Sequence, residues 1–432
     1  MIGCIFILKS QSLRSNKSVD MKIWKLSDLA DRVETCSAFL PADSTDRQIN
    51  IYKFNNVSLV GENTFFPNVL LYDHLKDEIY NPSEEKVMSL PDLDDKDYTL
   101  SAPHRCETLE GKYFYFIYNT DNYYHFLYDS LPYLISYLHL KKRFSNLKLL
   151  MSFPNASRKE NYRFVDECLE LIGIDKEDII IAKEKTIYRD VYVSSSYTYG
   201  SNPSAPPRKE IYQIYDLMAK TAVSMIESTE MLDLDNIYIS RRSWVHKDYS
   251  NIGTNYTDRR KMMNEDQLVE RLSEMGFVEI FCERLTMAEK IYLFRNAKKI
   301  AGAIGGGLAN VLFSTKQTQL LCILSPSFIE YNKRFLHSFF NTSVTYTSEN
   351  KFYEEGEYKS YMRIRLRDNK IGEIKEIYND EILMQYTDET VAGWNSQRDY
   401  KIKKINKSDI VWHDSGINSP WVCDIDEVYK LI

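Results

Sequence analysis

In the stretch NYYHFLYDSLP, residues 122–132, His125 and Asp129 stand four positions apart inside an otherwise aromatic run. On a helix that spacing puts an imidazole and a carboxylate on one face, with Cβ atoms about 5–6 Å apart. Such a pair either satisfies itself inside a core or handles a proton in a cleft, and the stretch alone leaves both readings open. Pro132 does not forbid a helix, because LPYLISYLHL resumes apolar residues at Leu134, Ile135 and Leu138 and can restart as a second one.

A second candidate is KIAGAIGGGLANVLF, residues 299–313, where a strand-like run meets Gly305, Gly306 and Gly307 and then a helix-like run holding Asn310. Glycines let a backbone approach a ligand closely, and a helix start offers unpaired N–H groups and a positive dipole end. A diphosphate suits that arrangement; a plain tight turn is the alternative. Asn310 stands where the third glycine of GxGxxG would fall, and the GK[ST] of a P-loop is missing.

Arginines supply the other half of such a site. Arg241 and Arg242 end the run NIYIS, and Arg259 and Arg260 precede NEDQL, which opens with Asn264 and Glu265. Guanidinium groups at strand ends grip phosphate oxygens bidentately and neutralise a leaving diphosphate without a metal. The bland reading is a solvated basic loop, with His246 exposed in it. Metal signals are weak: Asp92/Asp94 and Asp233/Asp235 follow no buried strand and read as turns. No HExxH, GxSxG or Cys/His cluster is present.

Positioning these residues takes alternating strands and helices. Strands are expected at 112–118, 148–153, 178–182 and 191–196 with a helix at 163–174. After the Pro/Ser segment 200–208 comes a long helix, from 209 to about 231. Strands then follow at 236–241, 277–281, 299–303 and 319–324, with helices at 264–276 and 286–297. This alternation implies an α/β fold with parallel, Rossmann-like sheets. YMRIRLRDNKIGEIKEIY, 361–378, alternates with a period of two around DNK and reads as a hairpin.

The 432 residues suit two domains, and a formal charge of −7 leaves no basic excess for nucleic acid. Seven cysteines without a CxxC fit reduced thiols. The apolar run in MIGCIFILKS is too short to span a bilayer, so no transmembrane segment or export signal is expected.

Taken in order, NxxHxxxD at Asn122, His125 and Asp129, SRR at 240–242, RxxxNE at Arg260, Asn264 and Glu265, Gly276-Phe277, and GGGLANVLF at 305–313 resemble glycosyltransferase family 61. The resemblance implies a GT-B architecture, two Rossmann-like domains facing across a cleft. It implies inverting transfer of a hexosyl or pentosyl group from a nucleotide-sugar donor to a glycan hydroxyl, with no metal and no further cofactor. It gives an acceptor-side role to His125 and Asp129, beside Asn122, Tyr123 and Tyr124, and a nucleotide-diphosphate role to Arg241, Arg260, Asn264, Glu265 and the loop 305–310. Asp129 is favoured as the base, with His125 orienting it or touching the donor phosphate, and the aromatic run is expected to wall the cleft. Ile304 and Gly306 depart from the family's histidine and alanine, and Cys322 in QLLCILSP from its glutamate.

The expected organisation is a β-rich region, 1–110, packing on an acceptor-side domain, 111–232, then a nucleotide-sugar domain, 233–345, and a mixed β-containing C-terminal extension, 346–432. A cytoplasmic enzyme of a microbe or virus, building a surface glycan, fits the missing anchor. Two alternatives compete: a catalytically inactive glycan- or nucleotide-binding protein of the same fold, and a dinucleotide oxidoreductase. The second needs an acidic residue ending the next strand, where LLCILSP offers Cys322 and Ser325.

Overall fold

The computed structural model describes residues 32–35, 49–61, 69–82, 86–89, 105–117, 120–153, 158–198, 207–208, 210–226, 228–230, 232–242, 259–328, 334–339, 341–386, 401–414 and 416–432. Asp92, Asp94, His246, the opening MIGCIFILKS and most of the Pro/Ser segment lie outside them. The chain is a mixed α/β protein with several sheets.

The first sheet has nine strands: β1 (Arg32–Thr35), β2 (Asn50–Val60), β3 (Leu70–Asp73), β4 (Glu78–Asn81), β5 (Lys86–Ser89), β6 (Glu107–Phe116), β7 (Lys148–Met151), β8 (Ile179–Ile181) and β9 (Thr186–Ser194). Their order is β5-β4-β3-β2-β9-β6-β7-β8, with β1 paired to β2. Strands β9, β6, β7 and β8 run parallel, and β2 joins β9 antiparallel. The N-terminal strands therefore continue this sheet and do not form a region packed against it. Pairing β2 along β9 satisfies the N–H and C=O groups that an open edge would leave bare.

The second sheet is wholly parallel: β10 (Asn236–Ile239), β11 (Val278–Ile280), β12 (Lys299–Ala303), β13 (Gln319–Ile323) and β14 (Ser343–Tyr346) stand in the order β11-β10-β12-β13-β14. Its central strands KIAGA and QLLCI are nearly continuous apolar runs, as strands covered on both faces must be. The chain leaves β10 toward one edge and returns past it to β12, so the direction of strand addition reverses between β10 and β12. Ligands of open α/β sheets settle in the crevice that such a reversal opens at the carboxyl ends of the strands.

Helices cover the sheets. In chain order these are α1 (Tyr123–His125), α2 (Leu134–Arg143), α3 (Arg163–Ile172), α4 (Ile211–Met225), α5 (Glu265–Glu274) and α6 (Met287–Asn296). Helix α3 ends on Gly173 in the left-handed conformation, which releases the chain toward β8. Helix α6 starts with a capping box, the Thr286 side chain taking the Glu289 N–H while Glu289 reaches back to the Thr286 N–H. One buried cluster runs from Ile49 to Phe339 and includes residues of α2, α3, α4 and α6, so the first two sheets share a continuous apolar core.

Beyond α7 (Arg334–Ser338), β15 (Lys351–Phe352) precedes an antiparallel sheet of β16 (Arg363–Leu366), β17 (Ile371–Ile377), β18 (Glu381–Tyr386), β19 (Lys401–Asn406) and β20 (Ile410–His413). The hairpin read around DNK is the β16/β17 turn, with Asn369 at φ 65°. The chain then returns to the second sheet's side: β21 (Trp421–Val422) pairs β15 and leads into α8 (Ile425–Leu431).

Candidate functional site

The stretch around His125 is helical without a break, but its winding changes three times. Asn122 caps α1, its side-chain oxygen accepting the His125 N–H at 3.2 Å. Pro132 has no N–H to offer the Tyr128 carbonyl, and its ring crowds that turn. The chain widens into a π-turn over Phe126–Ser130, the Leu131 N–H reaching back to the Phe126 oxygen, then tightens to a 3₁₀ turn before α2. Single π-turns of this kind recur at functional sites.

The widened turn keeps His125 and Asp129 together. His125 Nδ1 lies 2.6 Å from Asp129 Oδ2. Asp129 is only 2% exposed, against 18% for the His125 side chain. Two residues that the sequence reading did not single out complete the group: Thr198 donates to Asp129 Oδ1 at 2.9 Å, and Arg334 of α7 donates to Oδ2 at 2.8 Å. Burial alone would raise the Asp129 carboxyl, but the Arg334 charge and the His125 and Thr198 hydrogen bonds outweigh it and hold the carboxyl below the usual range. Asp129 is thus an ionised acceptor of three bonds, and Nδ1 of His125, which faces its carboxylate, carries a proton.

The aromatic run does not wall a cleft. Phe126, Leu127 and Tyr128 are fully buried, and Tyr124 stacks on Phe335 of α7 with ring centres 3.8 Å apart. The Tyr124 hydroxyl meets Ser338 at 3.1 Å, so Tyr124 joins the core instead of offering a surface to an acceptor. Large apolar rings are worth more buried than exposed, enough here to bury even the Tyr128 hydroxyl.

The glycine loop follows β12, at the reversal of strand order. Its three glycines do different things. A side chain at Gly305 would meet Arg241 Nη1 at 3.1 Å, and one at Gly307 would meet Ile239 at 3.0 Å, so both positions are small because something is packed against them. Gly306 is exposed; a Cβ there would find only Tyr123, at 4.0 Å. The run after the glycines is a 3₁₀ helix, Gly307–Phe313. Its Asn310 is fully buried, accepting from the Tyr123 hydroxyl at 2.6 Å and donating to the Gly307 oxygen at 2.8 Å. Asn310 therefore ties the loop to the His125 turn, with its amide turned away from any ligand.

Arg241 follows β10 and closes on the same loop, donating to the Ile304 oxygen at 3.1 Å and the Arg259 oxygen at 2.9 Å. Burial lowers its guanidinium from the usual arginine range. Glu265 lies underneath: 1% exposed, it accepts from the Arg241 N–H at 2.8 Å and the Tyr238 hydroxyl at 2.9 Å, and burial raises its carboxyl. Asn264 faces the C-terminal segment, its amide bonded twice to the Cys423 backbone. Glu265 thus supports Arg241, while Asn264 ties the start of α5 to the C-terminal segment. Arg260, at φ 54°, stacks its guanidinium 4.1 Å from the Phe328 ring. Arg242 is engaged elsewhere, bidentate with Glu279 and paired with Asp266.

Asp233 and Asp235 precede β10 at the opposite end of the sheet, bonded to Tyr292 and Lys298 respectively. Among the described residues no group of three or more His, Cys, Asp or Glu side chains is arranged to hold a metal ion. Cys322 is fully buried inside β13, where burial raises its thiol.

Sequence reasoning could not have found Arg334, since its only local signal is a lone arginine after a polar YNK. Thr198 is one hydroxyl in a Ser/Tyr-rich segment. A comparison with curated proteins finds no match. Among protein families, residues 123–321 match Glycosyltransferase 61, a span that takes in the His125 turn, Arg241, Arg260 and the glycine loop. The segment 123–321 accordingly belongs to glycosyltransferase family 61.

Proposed function

We propose that this glycosyltransferase works with inversion, moving a hexosyl or pentosyl group from a nucleotide-diphosphate donor to a hydroxyl of a glycan acceptor, the parallel half of its first sheet and its second sheet acting as the halves of a GT-B architecture. The observation that carries the proposal is the contact between its two parts. Tyr123, in the same helical turn as His125, bonds Asn310 and faces Gly306, so the turn that carries the imidazole is tied to the loop at the strand-order reversal.

The base is His125 and not Asp129, because the carboxylate is buried and fully engaged while His125 Nε2 is left without the proton. The acceptor hydroxyl gives its proton to Nε2 as its oxygen bonds to the anomeric carbon, and the bond from that carbon to the diphosphate breaks on the opposite face. Asp129 fixes the tautomer and stabilises the imidazolium that forms. The backbone at Gly306 and the Arg241 charge meet the leaving diphosphate, so no divalent metal is required. Cys168, Cys282, Cys322 and Cys423 are buried free thiols, which supports a reducing, cytoplasmic setting, and there the enzyme makes a surface glycan. No described helix is long and apolar enough to cross a membrane.

The test is incubation with a panel of nucleotide sugars and candidate glycans, following release of nucleoside diphosphate with and without EDTA. Release with one donor, acceptor-dependent and surviving EDTA, is expected. Tight donor binding with no release would make the chain a binding protein of this fold, and loss on chelation restored by manganese would overturn the metal-free step.

A further inference from the structure

Helix α7 lies between the two parts of the proposed site: it packs against the 3₁₀ segment after the glycines, and Phe335 and Ser338 hold Tyr124. Its first residue, Arg334, sends Nη1 to within 2.8 Å of Asp129 Oδ2 and 3.3 Å of His125 Nδ1. The Arg334 side chain is 13% exposed, so its charge is poorly screened by water. We propose that Arg334 is a positioning residue, pinning Asp129 so that His125 keeps Nδ1–H against the carboxylate and leaves Nε2 unprotonated. As a reading of what prepares the base, this rests on the function proposed above.

The argument is electrostatic and geometric. A buried carboxylate next to an imidazole favours the imidazolium, which has no lone pair and cannot act as a base. Arg334 supplies the compensating charge on the same oxygen that His125 uses, its Nη1 beside Nδ1, so the neutral ring no longer has to supply it. Thr198 holds the other oxygen and stops the carboxylate from rotating. Among the described residues, phenols also surround the pair: Tyr124 and Tyr128 from its own turn, and Tyr215 from α4 with Tyr212 beside it. Burial raises the Tyr128, Tyr212 and Tyr215 phenols, so they stay protonated and add no compensating charge.

The experiment reads the ring itself. In protein labelled with ¹⁵N-histidine, long-range proton–nitrogen spectra over pH 5–9 give the tautomer and titration midpoint of His125, assigned by its loss in His125→Gln. The wild type should show the Nδ1–H tautomer when neutral. In Arg334→Met the midpoint should rise by about one pH unit or more, the scale of removing a nearby opposing charge. Arg334→Lys keeps the charge and should bring the midpoint back toward the wild type. Asp129→Asn/Arg334→Met removes both charges and should do the same, which covers the case where the single variant folds poorly. An unmoved midpoint in folded Arg334→Met, or an Nε2–H tautomer in the wild type, would overturn the proposal. These spectra need no substrate, so they are decided separately from the transferase reading. Where transfer is measured, the acidic limb of kcat/KM should move up with the midpoint while donor KM holds.

Discussion

Asp129 shows how little a residue's type says about its job until its neighbours are known. The i, i+4 spacing correctly put an imidazole and a carboxylate within reach of each other, since any helical winding near 3.6–4.4 residues per turn does so. What spacing could not convey was depth: which of the two faces solvent depends on Thr198 and Arg334, 69 and 205 positions away. Their arrangement makes the two substitutions behave differently. His125→Gln keeps a polar side chain at a part-exposed position, so the fold should hold while turnover falls by about 10²–10⁴-fold, the scale of general-base catalysis. Asp129→Asn leaves Arg334 facing an uncharged amide, so it should lose turnover and stability together; breaking a buried pair typically costs about 3–5 kcal/mol. The stability loss should depend on pH with a definite sign. Because the folded carboxyl lies below its unfolded value, near 3.9, its contribution is complete above that value and disappears as pH falls through the folded one. Urea unfolding of both proteins at pH 7 and in steps below pH 4 measures this; a gap that widens in acid would contradict it.

The elements carrying the site were legible where sequence period and local chemistry agree. Four of the second sheet's five strands, α5, α6 and the turn after β12 announce themselves by apolar runs, helical periodicity and glycines; β14, with no buried residue, does not. The winding around Pro132 did not, because a proline in a helix signals a disturbance without choosing between a break, a kink and a widened turn. Nor could the three glycines be told apart, since each one's reason lies in another element: Arg241 for Gly305, Ile239 for Gly307, open space for Gly306. That difference predicts opposite outcomes from one substitution. Gly306→Val places its side chain on the exposed face toward Tyr123, and should fold normally yet abolish nucleoside diphosphate binding. Gly307→Val drives two methyl groups against a 3.0 Å contact with Ile239 and should lose stability first, by about 1–3 kcal/mol as overpacking does. Calorimetric titration with a set of nucleoside diphosphates, alongside thermal melts, separates the two. Unchanged affinity in a folded Gly306→Val protein would move the donor site elsewhere.

At the scale of the whole molecule, the C-terminal extension is part of the machinery that positions the arginines. Asn418 accepts the Arg260 N–H at 2.7 Å, and Trp421 grips the same segment three times: its N–H on the Lys261 oxygen at 3.0 Å, its indole on the Arg260 oxygen at 2.8 Å, its carbonyl on the Met263 N–H at 2.8 Å. Arg260 and Trp421 are 161 positions apart, and a two-residue strand has no period to read, so this closure was beyond sequence reasoning. It has a physical purpose. A non-glycine residue at φ 54° is held at a cost of order 1–3 kcal/mol and persists only where its surroundings fix it. Trp421→Phe keeps the buried ring and the strand pairing but removes the indole donor, leaving the Arg260 carbonyl one bond short, a loss of about 1 kcal/mol. If Arg260 serves the donor, that slackening should weaken nucleoside diphosphate binding by several-fold, about tenfold for each 1.4 kcal/mol that reaches the site, while the His125 titration stays as in the wild type. Arg260→Gly should relieve the backbone and raise the melting temperature, yet weaken binding at least as much because the guanidinium is gone. Full affinity in folded Arg260→Gly would take Arg260 out of the donor site and leave the C-terminal closure a purely structural strap.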